Sequence, residues 1–204
     1  MADADADLVA RALAKEAGAF DELVRRHRPR LVRTIGLLIG DADEAESLAQ
    51  EALTRAYMQL ADFEAGRPFT PWLHGIALNL CRNHLRDRAR RARPTAPERL
   101  GETAAPEGRR QGVLSGILRR EAGDHTLRAI GELPEALREA FVLHFVEGLD
   151  YAEMSRITGV AAGTLRVRSH RARTLLRNSL GDVVDTWLRE GGGAPGRRKG
   201  IRDE

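Results

Sequence analysis

Residues 150–177 read DYAEMSRITGVAAGTLRVRSHRARTLLR and predict two short helices joined by a tight turn. Asp150 and Glu153 have the spacing of a capping box, in which two side chains bond the free backbone amides that begin a helix. Gly159 stands where a helix ends in a left-handed residue, a conformation that glycine adopts most easily. A second helix is expected over residues 161–177. The stretch therefore predicts a helix-turn-helix.

The second of these helices is predicted to have an apolar side and a basic side. Leu165, Ala172 and Leu176 recur at helical spacing and are expected to pack inward. The outward side is basic and comprises Arg166, His170, Arg173 and Arg177, flanked by Arg168 and Arg171. No Asp or Glu occurs between Glu153 and Asp182 to neutralise this stripe. It suits the major groove of DNA, where arginine bonds guanine and phosphates; a solvated basic face is the alternative.

Composition predicts a globular protein of the reducing cytoplasm. Of the 204 residues, 42% are hydrophobic and 31% charged, and the net charge is only +3. The distribution of charge along the chain is therefore more informative than its sum. Cys81 is the single cysteine, so no intramolecular disulfide is expected. The first residues lack a signal-peptide pattern, and no apolar run of about 18 residues predicts membrane insertion.

The amino-terminal half is predicted to be helical. Residues 7–35 form its first helical stretch, with a break at Gly18, and a turn follows at Gly40. Residues 43–62 form the clearest amphipathic helix. Its apolar side comprises Ala45, Leu48, Ala49, Ala52, Ala56, Leu60 and Phe63. Its polar side comprises Asp43, Glu44, Ser47, Gln50, Glu51, Thr54, Arg55 and Met58. Asp43 and Glu46 are candidate caps, and an ordinary solvated face is the alternative reading of the polar side.

A second basic face is predicted after a loop at residues 64–70, on a helix from Trp72 to about Arg91 that has Pro71 in its first turn. Leu73, Ile76, Ala77 and Leu80 are expected to face inward. Asn79, Asn83, Arg86 and Arg90 share another side, along which Trp72 lies. Amides, guanidinium groups and an aromatic ring read or stack on bases; for Trp72 a packing role is the alternative. Cys81, His74 and His84 are too few and too poorly spaced for zinc.

The fold class is predicted to be all-α, with two small helical domains joined by a flexible linker. Residues 1–92 form the first domain, and residues 93–122, rich in Pro, Gly, Ala, Glu and Arg, form the linker. Residues 123–185 form the helix-turn-helix domain, with a proline-started helix after Leu133 that ends at Gly148. Residues 186–204 are expected to be a disordered tail. Two tethered DNA-binding modules favour the joint reading of two DNA elements.

Four motifs give the chain a resemblance to a known family. They are ESLAQEALTRAY at 46–57, PWLHGIALNLCRNHLR at 71–86, ELPEALREAFVLHFVEGLDYAEMSRITGV at 132–160 and GTLRVRSHRAR at 163–173. In this order, around a variable linker, they resemble a bacterial RNA polymerase sigma factor of the sigma-70 superfamily, in its extracytoplasmic-function (ECF) class. The resemblance implies core RNA polymerase and promoter DNA as partners, and an anti-sigma factor as an inhibitor. It implies no cofactor, no metal and no small-molecule substrate.

The resemblance also assigns roles to the three faces. The region 2 helix that binds core polymerase corresponds to the face of Glu44, Ser47, Gln50, Glu51 and Arg55. The part that melts the −10 element corresponds to Arg67, Trp72, Asn79, Asn83, Arg86 and Arg90. The region 4 helix that reads the −35 element corresponds to Thr164, Arg166, Arg168, His170, Arg171, Arg173 and Arg177. The chain departs from the family at Ser47, where Asp is usual, at Leu78, where Arg is common, and at Val167 and Ser169.

Two other classes of protein remain as alternatives. A helix-turn-helix transcriptional regulator that does not act through core polymerase would share the carboxy-terminal half, but its amino-terminal half would be a receiver or ligand-binding domain. The predicted amino-terminal half is helical and has no glycine-rich phosphate loop. An enzyme acting on nucleic acid would need paired carboxylates, a metal cluster or an activated nucleophile, and the sequence offers none. We therefore expect a protein that is not an enzyme.

Overall fold

The computed structural model describes residues 2–64, 66–92 and 124–189, and all regular secondary structure among them is helical. This confirms the predicted all-α class. The chain divides into two compact units whose boundary, between residues 115 and 116, lies outside the described residues. The predicted linker and most of the predicted tail also lie outside them. Across the described ranges, no helix combines the length and the apolar character that crossing a membrane requires.

The first unit contains four α-helices in its described part. These are α1 (Ala2–Leu13), α2 (Ala19–Ile39), α3 (Ala42–Met58) and α4 (Phe69–Arg91), with a short 3-10 turn at Leu60–Asp62 between α3 and α4. Gly18 and Gly40 have φ of 80° and 74°, a left-handed conformation that confirms the predicted break and turn. Helix α2 extends past the predicted end at residue 35 because Leu37, Leu38 and Ile39 are buried.

Helix α3 packs against α2 and α4 through the side that the sequence predicted to be apolar. All seven residues of that side are buried, but α3 ends at Met58 and not at residue 62, so Leu60 lies in the 3-10 turn and Phe63 follows it. The predicted caps Asp43 and Glu46 are wrong. The cap is Asp41, whose Oδ1 accepts from the backbone amides of Asp43 at 3.1 Å and Glu44 at 3.2 Å, while Glu46 pairs with Arg28 of α2.

Helix α4 differs from its prediction in two ways that affect the site. It begins at Phe69, inside the predicted loop, because the Phe69 ring is buried and Pro68 precedes the first helical residue. Pro71 lies in the first turn as predicted. Leu78, where the family commonly has Arg, is buried, so it belongs to the core and not to the exposed side.

The second unit contains α5 (Asp124–Glu132), α6 (Glu135–Phe141), α7 (Tyr151–Thr158), α8 (Ala162–Leu180) and α9 (Val183–Trp187) in its described part. Helix α6 continues into a π-helical turn, Val142–Val146, which ends before Gly148 at φ 68°. Pro134 lies one residue before α6 and not in its first turn. The buried core of the second unit includes Ile130, Phe141 and Leu165.

Helix α9 is an addition to the predicted architecture. The sequence placed the start of the tail at residue 186, but Thr186 and Trp187 lie in this helix. Trp187 and Val184 are buried, and α9 contacts α8 and α5. Burial of these two side chains keeps the end of the described chain against the helix-turn-helix.

Candidate nucleic-acid interface

The helix-turn-helix is fixed by the two devices that the sequence predicted. Asp150 Oδ1 accepts from the Glu153 amide at 2.7 Å, and Glu153 Oε2 accepts from the Asp150 amide at 2.9 Å. Both bonds of the capping box are therefore present. Gly159 ends α7 with φ 72° and its amide donates to the Ser155 carbonyl. Together they set the direction in which α8 leaves the turn.

The inward side of α8 matches its prediction and includes one further residue. Leu165, Ala172 and Leu176 are buried, as expected. Ser169 is buried as well, and its hydroxyl donates to the Ala140 carbonyl of α6 at 3.2 Å. Ser169 therefore packs in the core and anchors α8 to α6. This bond explains why a polar residue is accommodated at a position where the chain departs from the family.

The first half of α8 presents an exposed surface without a carboxylate partner. Its exposed residues are Thr164, Arg166, Val167, His170 and Arg171, and Arg168 is half-buried beside them. Within the described ranges, no carboxylate lies within ion-pair distance of Arg166, Arg168 or Arg171. The Arg166 guanidinium lies over the Tyr151 ring, at 5.6 Å from its centroid.

Tyr151, the first residue of α7, is itself part of an aromatic stack. Its ring stacks on His144 with centroids 4.4 Å apart and an interplanar angle of 23°. The His144 ring N–H donates to the Leu149 carbonyl at 2.9 Å. His144 thus lies half-buried at the edge of the core and supports the residue under Arg166.

The second half of the predicted basic stripe is partly compensated by one carboxylate, which the sequence analysis missed. Asp185 of α9 accepts from Arg173 Nε at 3.2 Å and Nη2 at 3.0 Å through Oδ1. Its Oδ2 accepts from Arg177 Nε at 2.7 Å. The prediction that no carboxylate compensates the stripe is therefore wrong for Arg173 and Arg177, because α9 folds back onto α8. The signal was Val184 and Trp187, an apolar pair at i and i+3 around Asp185.

Burial and the two arginines act in opposite directions on Asp185. Burial raises its pKa, but the hydrogen bonds from Arg177 and Arg173 outweigh burial and lower the pKa below its ordinary value. Asp185 is therefore ionised at neutral pH and carries a full negative charge between the two guanidinium groups.

Helix α4 presents the second predicted face. Asn79, Asn83, Arg86 and Arg90 are all exposed on it, and Arg86 donates to the Asn83 side-chain oxygen at 3.3 Å. Arg67, in the preceding loop, is exposed and paired with Glu64 at 2.6 Å. The four α4 residues therefore lie on an exposed side of the helix, as their spacing indicated.

Trp72 is half-buried in an aromatic cluster at the start of α4. Its ring centroid is 5.1 Å from Phe63 and 5.5 Å from Phe69, and Phe69 also contacts the His27 ring at 5.2 Å. The packing role that was the alternative for Trp72 is therefore observed. The remaining exposed part of the ring lies on the same helix as Asn79 and Asn83.

The polar side of α3 is exposed throughout. Glu44, Ser47, Gln50, Glu51 and Arg55 all reach solvent, and Glu51 pairs with Arg55 at 2.5 Å. At its carboxy-terminal end this side becomes apolar, because Tyr57 and Met58 are 63% and 76% exposed. Sequence reasoning placed Met58 among polar neighbours and did not single out Tyr57.

Cys81 and His74 of α4 are packing residues in this structure, whereas His84 is half-buried with Nδ1 3.8 Å from Glu44 Oε2. Cys81 is buried. His74 is also buried, and its ring N–H donates to the Thr70 carbonyl at 2.7 Å. In residues 2–64, 66–92 and 124–189, no group of three or more His, Cys, Asp or Glu side chains is placed to hold a metal ion.

Comparisons with known proteins match both units. The family model described as Sigma-70 region 2 matches residues 23–91, and that described as Sigma-70, region 4 matches residues 126–176. The RNA polymerase sigma-H factor of Pseudomonas aeruginosa is 33% identical over 181 residues, covering 86% of this chain and 93% of that protein. The ECF RNA polymerase sigma factor SigW of Bacillus subtilis is 32% identical over 174 residues, covering 81% and 90%.

A solved structure is similar over both units as well. The sigma factor RpoE from Bartonella quintana, crystallised in complex with the anti-sigma factor NepR, aligns with a TM-score of 0.63 and 26% identity. The alignment covers 80% of this chain and 98% of that one.

Proposed function

Because this chain belongs to the ECF class of the sigma-70 RNA polymerase sigma factors, we propose that its three exposed faces divide the work of promoter-specific initiation. As a sigma factor it binds core RNA polymerase and directs it to promoter DNA. The division of labour rests on one observation above all. The first half of α8, the second helix of the helix-turn-helix, exposes arginines that no carboxylate in the described part of the chain pairs with.

In this proposal α8 reads the −35 element. Thr164, Arg166, His170 and Arg171 lie on the half of the helix that enters the major groove in helix-turn-helix proteins. The stack beneath Arg166 holds its guanidinium in one region, so less conformational freedom is lost when it bonds a guanine. Arg168, Arg173 and Arg177 then have lesser roles, because Arg168 is half-buried and Asp185 holds the other two.

Helix α4 and the loop before it act on the −10 element. The exposed side of α4 binds one DNA strand of this element through Asn79, Asn83, Arg86 and Arg90. Arg67 and Trp72 bind it at the amino-terminal end of the helix. Removing a base from the stack costs a few kcal/mol, and stacking on an aromatic ring returns about 1–3 kcal/mol for each base. The partly exposed ring of Trp72, packed from behind on the buried rings of Phe63 and Phe69, offers a supported surface for such stacking.

Helix α3 is proposed to bind core polymerase. Its exposed side combines Glu44, Ser47, Gln50, Glu51 and Arg55 with the apolar residues Tyr57 and Met58 at one end. A polar face beside an exposed apolar end is typical of the rim and core of a protein interface. Ser47 is uncharged, so this face has one carboxylate fewer than it would have with Asp at that position.

Control and location follow from the family. The Bartonella relative was solved with an anti-sigma factor, and we propose that this chain is held inactive by a protein of that kind. We further propose that it acts in the cytoplasm and is not an enzyme, since a sigma factor lends sequence specificity to the chemistry of the polymerase.

The experiment that tests the function is binding to core polymerase followed by transcription. The purified full chain is mixed with bacterial core enzyme, tested for co-elution, and then assayed for initiation on genomic DNA fragments. Co-elution with new, defined start sites supports the proposal and yields the promoter. Sequence-specific duplex binding without any association with core would instead favour a helix-turn-helix regulator.

A further inference from the structure

Asp185 joins two arginines that lie one turn apart on the DNA-reading helix. Each carboxylate oxygen takes one guanidinium group, Oδ1 from Arg173 at 3.0 Å and Oδ2 from Arg177 at 2.5 Å. The side chain of Asp185 is 18% exposed, that of Arg173 21% and that of Arg177 48%. Solvent screens such a partly buried pair less than an ion pair on the open surface.

The carboxylate is held in place by the rest of α9. Val184 and Trp187, on either side of Asp185, are buried against the unit. Arg173 is held from a second direction, because its guanidinium lies 5.4 Å from the centroid of the Phe145 ring. Because Asp185 and Arg173 are already held in place, little side-chain entropy is lost when they pair. Charge-assisted hydrogen bonds of this kind are among the stronger ones in proteins.

We propose that Asp185 is a specificity-determining residue of the DNA-reading helix, because it withholds Arg173 and Arg177 from phosphate binding. The proposal rests on the reading of DNA by α8. Basic charge that can reach phosphates is then confined to Arg166, Arg168 and Arg171 in the first half of the helix. The second half carries two arginines, and pairing with Asp185 lowers their combined charge from +2 to +1.

The physical benefit is a better ratio of specific to non-specific binding. Phosphate contacts strengthen binding to every sequence equally, whereas base contacts strengthen it to one. A genome offers a vast excess of non-specific sites, so additional phosphate contacts favour the wrong sites in total. A sigma factor that searches for one promoter gains by having charge only where bases are read.

A purely structural role for Asp185 predicts different behaviour. If Asp185 only fastens α9, its removal lowers stability and leaves the number of phosphate contacts unchanged. If it withholds the two arginines, its removal adds contacts, and each added contact steepens the dependence of log K on log salt by about 0.9. The salt slope therefore separates the two roles.

The test uses the full chain and a short labelled duplex of random sequence, titrated from about 50 to 200 mM salt. Asp185→Asn is compared with the wild type and with Asp182→Asn. The control removes the same charge three residues away, from an exposed residue whose side chain makes no capping bond. Circular dichroism on each variant reports whether the helices remain.

We expect Asp185→Asn to bind the random duplex more tightly and with a slope steeper by about 0.9–1.8, and Asp182→Asn to match the wild type. Equal slopes in the two variants would overturn the proposal. If Asp185→Asn loses helix, the double variant Arg173→Gln, Arg177→Gln decides instead, because with Asp185 in place it should leave the wild-type slope unchanged. A slope shallower by about 1.8 would show that both arginines already bind phosphate.

These outcomes are distinct from failure of the proposed function. Wild-type binding with unchanged slopes in both variants refutes the role of Asp185 alone. Absence of duplex binding by every form, at the lowest salt, would refute DNA reading by α8 and with it the proposal.

Discussion

The guanidinium of Arg166 lies 5.6 Å from the centroid of the Tyr151 ring, so the two helices of the helix-turn-helix meet through a cation–π contact. Tyr151 in turn stacks on His144, which lies in the π-helical turn Val142–Val146. Arg166 is therefore supported by two rings, one on α7 and one in that turn. The residue best placed to bond a base is thus positioned by a residue that need not touch DNA.

Tyr151 should therefore contribute to DNA reading by positioning Arg166. Replacing Tyr151 by Leu removes the ring, and we expect promoter affinity to fall by about 0.5–1 kcal/mol, the usual value of an exposed cation–π contact. That corresponds to about a two- to fivefold rise in Kd. Tyr151→Phe keeps the ring and is the matched control, expected to bind more tightly than the Leu variant. Equal binding by the two variants would show that the ring does not position Arg166.

Arg166 and Arg171 should differ in the kind of contact they make. Arg166→Ala is expected to cost about 1–3 kcal/mol at one position of the −35 element and to relax the sequence preference there. Arg171→Ala is expected to weaken binding to all sequences alike and to reduce the salt slope by about 1. Both are measured with a set of duplexes that carry single base changes. A uniform loss from Arg166→Ala would identify it as a phosphate contact.

The capping box should contribute measurably to the stability of the second unit. Asp150→Ala removes a side chain that accepts from the Glu153 amide, and loss of such a cap costs about 0.5–2 kcal/mol. Asp182→Ala is the control, because Asp182 precedes α9 without a side-chain cap bond. Urea unfolding of both variants gives the comparison. The cap would have no special role if the two variants lost the same free energy of unfolding.

Glu51 should matter for polymerase binding and little for folding. Its ion pair with Arg55 is on the surface, where such pairs contribute about 0–1 kcal/mol. We expect Glu51→Lys to weaken co-elution with core polymerase at an unchanged melting temperature. Glu16→Lys is a matched control, since Glu16 is similarly exposed and also pairs with an arginine, Arg11, but belongs to the connection between α1 and α2. Normal core binding by Glu51→Lys would remove α3 from the proposed interface.

His27 should make stability depend on pH. Burial lowers its pKa, and the opposing effect of Asp5, whose Oδ2 is 3.1 Å from Nε2, is smaller. Since the unfolded chain then binds the proton more tightly, the free energy of unfolding falls as the pH drops through the ordinary histidine value of about 6.5. We expect the melting temperature of the wild type to decline from pH 7.5 toward pH 5, and that of His27→Gln to decline less.

The control for this prediction is His170→Gln, which replaces an exposed histidine and should keep the wild-type pH dependence. If His27→Gln and His170→Gln followed the same curve, the pH dependence would have to come from other groups. Melting followed by circular dichroism at a series of pH values is sufficient.

Most of the secondary structure could be predicted because its determinants are local. The capping box and Gly159 define α7 within ten residues of sequence, and the period of Ala45, Leu48, Ala49 and Ala52 defines the buried side of α3. Local spacing also placed Asn79, Asn83, Arg86 and Arg90 on one exposed side of α4. In a helix, the number of residues between two positions fixes the angle between their side chains around the axis. The sequence alone is therefore enough to predict which residues share a side.

The differences arose where a residue meets a distant part of the chain. The sequence alone determined most of the helices, the buried sides of α3 and α8, and the family. Only the tertiary structure decided that α9 forms, that Leu78 is core, that Trp72 packs on Phe63 and Phe69, and that Asp185 pairs with Arg173 and Arg177. The physical reason is that charge compensation depends on distance in space, and a search between Glu153 and Asp182 omits a carboxylate that α9 carries back to α8.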